Sequence, residues 1–195
     1  MSNTVTTASG LSIPLATVLP ANDESLARLR GVPALALEWL PGLPIAVYHI
    51  MNTYGVHPDG ALLENVAVKY HLREQLANGG ADYVIHGVVV GPDIQGNPLD
   101  LTEYTLYGLD VYNASEQHWM DWNILIVGLK HLGIEPVPDI RTWWSFQTSL
   151  DKLKILASRQ YNTGQLSRGL LLRPLRPEQH DPYYVSVDNP ERGSS

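Results

Sequence analysis

The amino-acid sequence predicts an α+β fold in which mostly antiparallel sheets carry a few packed helices. Most apolar runs have the length of a strand and end at glycine or proline turns, whereas only three segments have apolar residues at helical spacing. No internal repeat is present, and the order of strands and helices is typical of the α+β class. A chain of 195 residues is long enough to bury a hydrophobic core.

The first half of the chain contains three predicted strands and one predicted helix. Two apolar stretches at 34–40 and 43–51 are split by a Pro-Gly pair, which predicts a strand, a sharp turn and a second strand. The segment 62–76 has apolar residues at helical spacing with charges between them, and a Gly-Gly pair ends this predicted helix. The β-branched run 83–90, followed by Gly-Pro, has the length and composition of a buried strand.

The second half alternates between the two types of element. The segment 104–112 alternates well enough to predict a strand, and 119–132 predicts a helix that a glycine closes. A short amphipathic helix is predicted at 149–158, where serine or threonine is available as a cap. Short strands at 169–172 and 183–187 complete the predicted fold.

The predicted domain occupies 31–190, with an N-terminal segment at 1–30 and a tail or vector-derived remnant at 191–195. The N-terminal segment is rich in serine and threonine but has no basic region, so it does not predict a signal peptide. No apolar run has the length needed to span a membrane. The sequence therefore predicts a soluble cytoplasmic protein without membrane association, and it leaves the oligomeric state open.

Composition argues against two classes of site. Thirteen basic residues against twenty acidic ones give a formal charge of −7, whereas a domain that grips a phosphate backbone usually has the opposite balance. The chain has no cysteine and its seven histidines are scattered, so no metal site is predicted. We expect no cofactor, and nucleic acid is disfavoured as a partner.

Five segments resemble the motifs of one enzyme family. They are 38–42 (EWLPG), 85–98 (IHGVVVGPDIQGNP), 106–112 (LYGLDVY), 169–174 (GLLLRP) and 187–189 (VDN). In their order, and above all in the Gly-Pro-x-Ile-Gln-Gly-Asn loop, they resemble the nucleotidyltransferase domain of ATP-dependent RNA ligases of the phage-type second class and their bacterial relatives. The resemblance spans about 31–189 and implies the ligase-like nucleotidyltransferase fold.

The residues that perform the chemistry of that family are replaced in this chain. The family's lysine nucleophile, which carries AMP, corresponds to Trp39. Other nucleotide and metal contacts of the family correspond to Pro41, Val88, Leu109, Arg168 and Ser186. Because Lys69, Lys130, Lys152 and Lys154 all fall on predicted helices, none of them is expected to substitute. The resemblance therefore implies a scaffold that has lost lysine–AMP chemistry.

These replacements exchange charged residues for mostly apolar ones, which predicts that the former ATP cleft binds a small hydrophobic or aromatic molecule. The predicted ligand-binding residues are Trp39, Leu43, Tyr48, Val88, Leu109, Arg168, Leu170 and Ser186. Evolution into a pseudoenzyme and deliberate redesign of a ligase scaffold are both compatible with this pattern.

Acid–base catalysis in the cleft is a further hypothesis, with His86, His49 and Asp188 as candidate proton acceptors. Each has a structural alternative, since a strand histidine also packs on the far side of a sheet.

Two other functions stay open at this point. One is a non-catalytic nucleotide- or RNA-binding module, and the other is a protein-interaction domain that uses its tryptophans. A misplaced motif alignment with a distant lysine nucleophile is the remaining alternative.

Overall fold

The structure, a computed structural model, describes residues 3–7, 10–176 and 183–193 and confirms the α+β class. In chain order the strands are β1 (Asn3–Thr6), β2 (Ser12–Leu15), β3 (Thr17–Pro20), β4 (Ala34–Glu38), β5 (Leu43–Ile50), β6 (Thr53–His57), β7 (Tyr83–Val90), β8 (Thr105–Asn113), β9 (His118–Trp119), β10 (Glu135–Pro136), β11 (Asp139–Trp143), β12 (Gly169–Pro174) and β13 (Tyr183–Asp188). A short 3-10 turn, Pro190–Gly193, follows β13.

Helices form a smaller part of the fold. They are α1 (Asp23–Ala27), α2 (Ala61–Lys69), α3 (Leu72–Asn78), α4 (Trp122–His131) and α5 (Leu150–Ala157). Within the described ranges, none of them is long and apolar enough to cross a membrane.

Two sheets and one separate hairpin contain all of these strands. The first sheet has the order β10-β8-β7-β5-β6, with β9 also paired to β8, and the second has the order β11-β4-β12-β13-β3. Among the described strands, β1 and β2 pair only with each other. Most pairings are antiparallel, as the sequence predicts, and the exceptions are β10 with β8 and β13 with β3.

Each face of the second sheet packs against a different hydrophobic cluster. Leu171 and Tyr184 lie in a large cluster shared with the first sheet and with α2, α3 and α4. Leu170 and Val185 lie in a smaller cluster with residues of α1 and α5. This separation follows from the alternation of side chains along a strand, and it means that only one face of β12 and β13 looks toward the first sheet.

Two predicted helices have different limits in the structure. The predicted helix at 62–76 is broken into α2 and α3, because His71 adopts a left-handed backbone conformation with φ 51°. The predicted helix at 119–132 begins only at Trp122, because Trp119 belongs to β9 and pairs with Tyr112 of β8. The ring centroids of Trp119 and Tyr112 are 5.3 Å apart, so this contact holds Trp119 on the sheet.

The N-terminal segment predicted at 1–30 contains β1, β2, β3 and α1 within its described residues. Strand β3 belongs to the second sheet through its parallel pairing with β13. Helix α1 starts with a capping box in which the Asn22 side chain accepts from the Ser25 N–H at 2.8 Å and the Ser25 hydroxyl accepts from the Asn22 N–H at 3.0 Å. Of the predicted tail at 191–195, residues 194–195 lie outside the described part of the chain.

Candidate functional site

A cation–aromatic pair lies at the junction of β4 and β12. Trp39 directly follows β4, and its backbone N–H donates to the carbonyl of Gly169 at 3.0 Å. Arg168 directly precedes β12, and its guanidinium carbon lies 3.9 Å from the centroid of the Trp39 ring. The structure thus brings these two predicted ligand-binding residues into direct contact.

Gly169 fixes the position of Arg168. Its φ of +138° is one that side-chain-bearing residues rarely adopt, and a Cβ there would collide with the carbonyl oxygen of Val187. The carbonyl of Arg168 accepts a hydrogen bond from the Asn189 N–H at 3.0 Å. These two features fix the backbone between Arg168 and β12, at the point where the arginine contacts Trp39.

An open groove of about 690 Å³ lies beside this pair and includes Gln95, Arg168, Asp188 and Arg192. Gln95 comes from the ligase-like loop, and its amide donates to the carbonyl of Gly42 at 3.3 Å. Burial lowers the pKa of Arg168, the negative charge of Asp188 opposes this shift, and Arg192 adds to it. The groove is therefore lined by both positive and negative side chains, whereas the sequence predicts a largely apolar cleft.

A second cavity, the inter-sheet pocket, has a volume of about 390 Å³ and is mostly apolar. Its wall contains Pro44, Ala46, Leu109, Trp119 and Leu171 together with His86. Leu109 reaches this position through a β-bulge: Gly87 pairs with Gly108 while His86 pairs with Asp110, so Leu109 is the extra residue. Of the predicted site residues, His86 and Leu109 line this pocket.

His86 is a neutral polar group in apolar surroundings. Its ring centroid is 5.1 Å from that of Trp119, and its Nε2 atom is buried without a hydrogen-bond partner among the described residues. Burial lowers the pKa of His86 to about 4, although the nearby Asp110 carboxylate acts in the opposite direction. At neutral pH the imidazole is therefore uncharged.

Three buried polar residues connect the two sheets next to the pocket. Arg173 donates to both carboxylate oxygens of Asp110, from Nη2 to Oδ1 at 2.9 Å and from Nε to Oδ2 at 3.3 Å, and the Tyr184 hydroxyl also donates to Oδ2, at 2.6 Å. Arg173 also donates to the carbonyl of Met120 at 2.8 Å. Burial and the charge of Asp110 raise the pKa of Tyr184 well above its ordinary value. The carboxylate, which belongs to the first sheet, is thus fully engaged by two residues of the second.

The remaining predicted ligand-binding residues are dispersed. Leu43 is 39% exposed at the start of β5, and Val88 lies against Gly42. Tyr48 is buried in a small cluster with Ile13. The Ser186 hydroxyl donates to the carbonyl of Leu19 at 3.2 Å.

Leu170 does not face the first sheet. It is fully buried in the smaller cluster on the opposite face, because strand alternation turns it away from its neighbour Leu171. Its side chain therefore lines neither the groove nor the inter-sheet pocket.

The three candidate proton acceptors occupy three different places. His86 lines the inter-sheet pocket, whereas Asp188 lines the groove beside Arg168. His49 lies between Tyr54 and Tyr83 in the register of the first sheet. Since Ala46, which pairs with His86, is three residues away on the same strand, His49 points to the opposite face. The three side chains therefore do not line a common pocket.

Sequence reasoning missed Asp110 and Tyr184, and it also missed Tyr161. The Tyr161 side chain is partly buried next to Glu38, and burial together with the Glu38 carboxylate raises the pKa of its hydroxyl. Asp110 lies in the motif-like segment 106–112 but was not identified as a site residue, and no spacing in the sequence separates Tyr184 or Tyr161 from ordinary packing residues. Within the described residues, no group of His, Asp or Glu side chains is close enough together to hold a metal ion.

The chain contains four lysines, and all of them lie on helices. Lys69 ends α2 and forms an ion pair with Glu103 at 2.9 Å. Lys130 lies in α4, and Lys152 and Lys154 lie in α5. None of the four lines the groove or the inter-sheet pocket.

Solved structures of one enzyme have a similar fold. They include the RNA ligase of Naegleria gruberi as a lysine-to-methionine mutant with AMP and Mn, with a TM-score of 0.73, 17% identity and coverage of 88% of this chain and 54% of that chain. An apo aspartate-to-alanine mutant of the same ligase gives a TM-score of 0.74 at 17% identity, covering 88% and 53%. The ligase with PPi gives 0.73 at 17% identity, covering 88% and 54%.

No protein-family model matches the chain, and no curated protein matches it. The chain spans about half the length of the ligase structures that it resembles. At this level of identity the likeness concerns the fold, and the chain has the RNA-ligase-like nucleotidyltransferase fold that the sequence motifs predict.

Proposed function

We propose that this domain does not form a lysine–AMP intermediate and instead binds a small apolar, ring-containing molecule in the inter-sheet pocket. The observation that carries the proposal is a mostly apolar cavity of about 390 Å³ with His86 in its wall, whose buried Nε2 atom has no partner among the described residues. Cavities of this size and lining, with few polar groups, are typical of small-molecule sites.

The proposal excludes nucleotidyl transfer because of the residue at the nucleophile position and the positions of the lysines. The position that the ligase resemblance assigns to the nucleophile is Trp39, which has no amine, and its indole lies under Arg168. The four lysines lie on helices outside the groove. A nucleophilic amine and stabilisation of the phosphoryl charge are both needed for this reaction.

A divalent metal does not fit this groove either. Among its described lining residues Asp188 is the sole carboxylate, and it lies with the two cations Arg168 and Arg192. Hard divalent cations need several oxygen ligands, and neighbouring arginines oppose their binding. No step that depends on a bound metal is therefore part of the proposed function.

Two histidines, His86 and His57, line the inter-sheet pocket, and of these His86 has a buried Nε2 atom without a hydrogen-bond partner among the described residues. The neighbouring Asp110 carboxylate already accepts from Arg173 and Tyr184. A buried polar atom without a partner destabilises the protein, and a ligand that supplies a hydrogen bond after a small ring movement removes that penalty. Because burial lowers the pKa of His86 to about 4, we propose a binding role for it rather than proton transfer at neutral pH.

Thermal unfolding with three compounds tests this proposal. We expect 2-naphthol and naphthalene to raise the Tm, because each binds only the folded state, whereas ATP with Mg²⁺ leaves it unchanged. Incubation with radiolabelled ATP should give no covalent protein adduct. A labelled adduct, or stabilisation by ATP with Mg²⁺ alone, would contradict the proposal.

The second candidate function is a non-catalytic nucleotide- or RNA-binding module. The groove beside Trp39 favours it, because Arg168 and Arg192 are available for an anion and Gln95 belongs to the ligase-like loop. Binding of AMP or of a short single-stranded RNA that weakens with salt, and that Arg168→Met abolishes, would support this function. The net charge of −7 opposes it.

A further inference from the structure

A third concave surface, the basic groove, lies between the edge strand β11 and helix α5. Its volume is about 450 Å³, and it is separate from both the inter-sheet pocket and the groove beside Trp39, since it shares no described lining residue with either. Strand β11 is the last strand of the second sheet and pairs only with β4 among the described strands. This edge of the sheet is therefore open to a partner.

The charge of the basic groove is positive and uncompensated. Its cations are Arg141, Lys152 and Arg159, and none of its described lining residues is a carboxylate. None of these three side chains forms a salt bridge within the described part of the chain. Three cations without a salt bridge thus lie together on a chain with a net charge of −7.

The floor of the basic groove is apolar. Ile140, Trp143 and Leu156 line it and pack against the smaller hydrophobic cluster beneath. Ile155, on the α5 side, is 75% exposed. A partner that fits this surface therefore needs both an apolar side chain and negative charges.

We propose that the basic groove docks an acidic peptide segment of a partner protein, with a bulky apolar residue on the floor and carboxylates on Arg141, Lys152 and Arg159. The bulge between Asp139 and Arg141 interrupts the regular pairing of β11. A full added strand is therefore disfavoured, and side chains direct the docking.

Single-stranded nucleic acid fits less well, because the aromatic ring of the basic groove is already covered. The guanidinium of Arg141 lies 5.6 Å from the centroid of the Trp143 ring, and Phe146 meets that ring edge-on at 5.2 Å. Bases bind to such proteins by stacking on free aromatic faces, and Trp143 offers little free face.

Fluorescence anisotropy with the full chain and a labelled peptide of alternating Glu and Leu tests the proposal. We expect saturable binding that weakens as salt is raised, and no binding of the same peptide with Lys in place of Glu. Lys152→Glu should weaken binding by about tenfold, since it places a like charge against the peptide. Arg141→Glu, on the opposite side of the groove, should also weaken peptide binding.

Lys154→Glu is the matched control, because Lys154 lies on the same helix but does not line the basic groove. It should leave peptide affinity within about twofold of the wild type. Absence of peptide binding, or equal losses in Lys152→Glu and Lys154→Glu, would overturn the proposal. Tighter binding of labelled oligouridylate than of the peptide, abolished by Lys152→Glu, would assign the groove to nucleic acid instead.

Discussion

The guanidinium of Arg168 lies 3.9 Å from the centroid of the Trp39 ring. In the ligase family that the chain resembles, these positions correspond to the lysine nucleophile and to a metal-side glutamate. We propose that two groups that serve nucleotide chemistry in that family are replaced here by these two residues, whose side chains contact each other. The replacements are complementary, since an arginine over an indole face is a favourable pair.

A double-mutant cycle on Trp39→Leu and Arg168→Met measures this contact. We expect a coupling free energy of about 0.5–1 kcal/mol in urea unfolding, because the pair lies at a partly exposed site. The control cycle combines Trp39→Leu with Arg176→Met, since the Arg176 side chain is 85% exposed and its ion pair is with Asp121. Equal coupling in the two cycles would contradict a specific interaction between Arg168 and Trp39.

Asp110→Asn tests the buried connection between the sheets. The substitution leaves the Arg173 guanidinium, which is 1% exposed, without its counter-charge, and we expect a loss of about 3–5 kcal/mol in the free energy of unfolding. Asp121→Asn breaks an exposed ion pair of 3.6 Å and should cost less than about 1 kcal/mol. Denaturant unfolding of both variants gives the comparison, and similar losses would mean that Asp110 contributes no more than a surface charge.

Much of the fold follows from local sequence patterns. Strands β5 and β7 are apolar runs bounded by turn residues, so both were predictable close to their observed limits. The break at His71 was not, because nothing in a helical apolar pattern indicates that one histidine adopts a left-handed conformation. The extra residue at Leu109 was also hidden, since a bulge is defined by the partner strand and not by its own sequence.

The candidate site was predictable only in part, since His86 and Leu109 are the predicted site residues that line the inter-sheet pocket. The ligase-like motifs indicated Trp39 and Arg168, yet they gave no sign that the two side chains stack. The pairing of Asp110 with Tyr184 joins residues 74 positions apart in two sheets, which no local pattern encodes. Leu170 was predicted to line the cleft, but its neighbour Leu171 lines the inter-sheet pocket instead. Adjacent residues of a strand point to opposite faces, and Leu170 packs in the smaller cluster on the other face.

Unfolding at two pH values tests the state of His86. Burial lowers its pKa in the folded protein to about 4, below the ordinary value of 6.5, so between these values the unfolded chain binds more protons. Its contribution to stability is therefore complete above pH 6.5 and is lost as the pH falls toward 4. Between pH 7 and pH 5 we expect a loss of at most about 2 kcal/mol from this residue.

The contribution of His86 is isolated by comparing wild type with His86→Leu, which should lack this part of the pH dependence. His131→Gln serves as the control, because His131 is exposed on α4. If His86→Leu and the wild type lose the same stability between pH 7 and pH 5, the imidazole is not buried as described.

Leu109→Trp tests whether the inter-sheet pocket is the ligand site. The larger side chain projects from the bulge into a cavity of about 390 Å³ and should occupy the volume that a ring compound needs. Calorimetric titration with 2-naphthol should then show an affinity at least about tenfold weaker than that of the wild type, the equivalent of about 1.4 kcal/mol. Leu43→Trp is the matched control, because Leu43 is 39% exposed and does not line the pocket. Unchanged 2-naphthol affinity in a folded Leu109→Trp protein would place the ring compound elsewhere, whereas a loss confined to this variant assigns it to the pocket between the sheets.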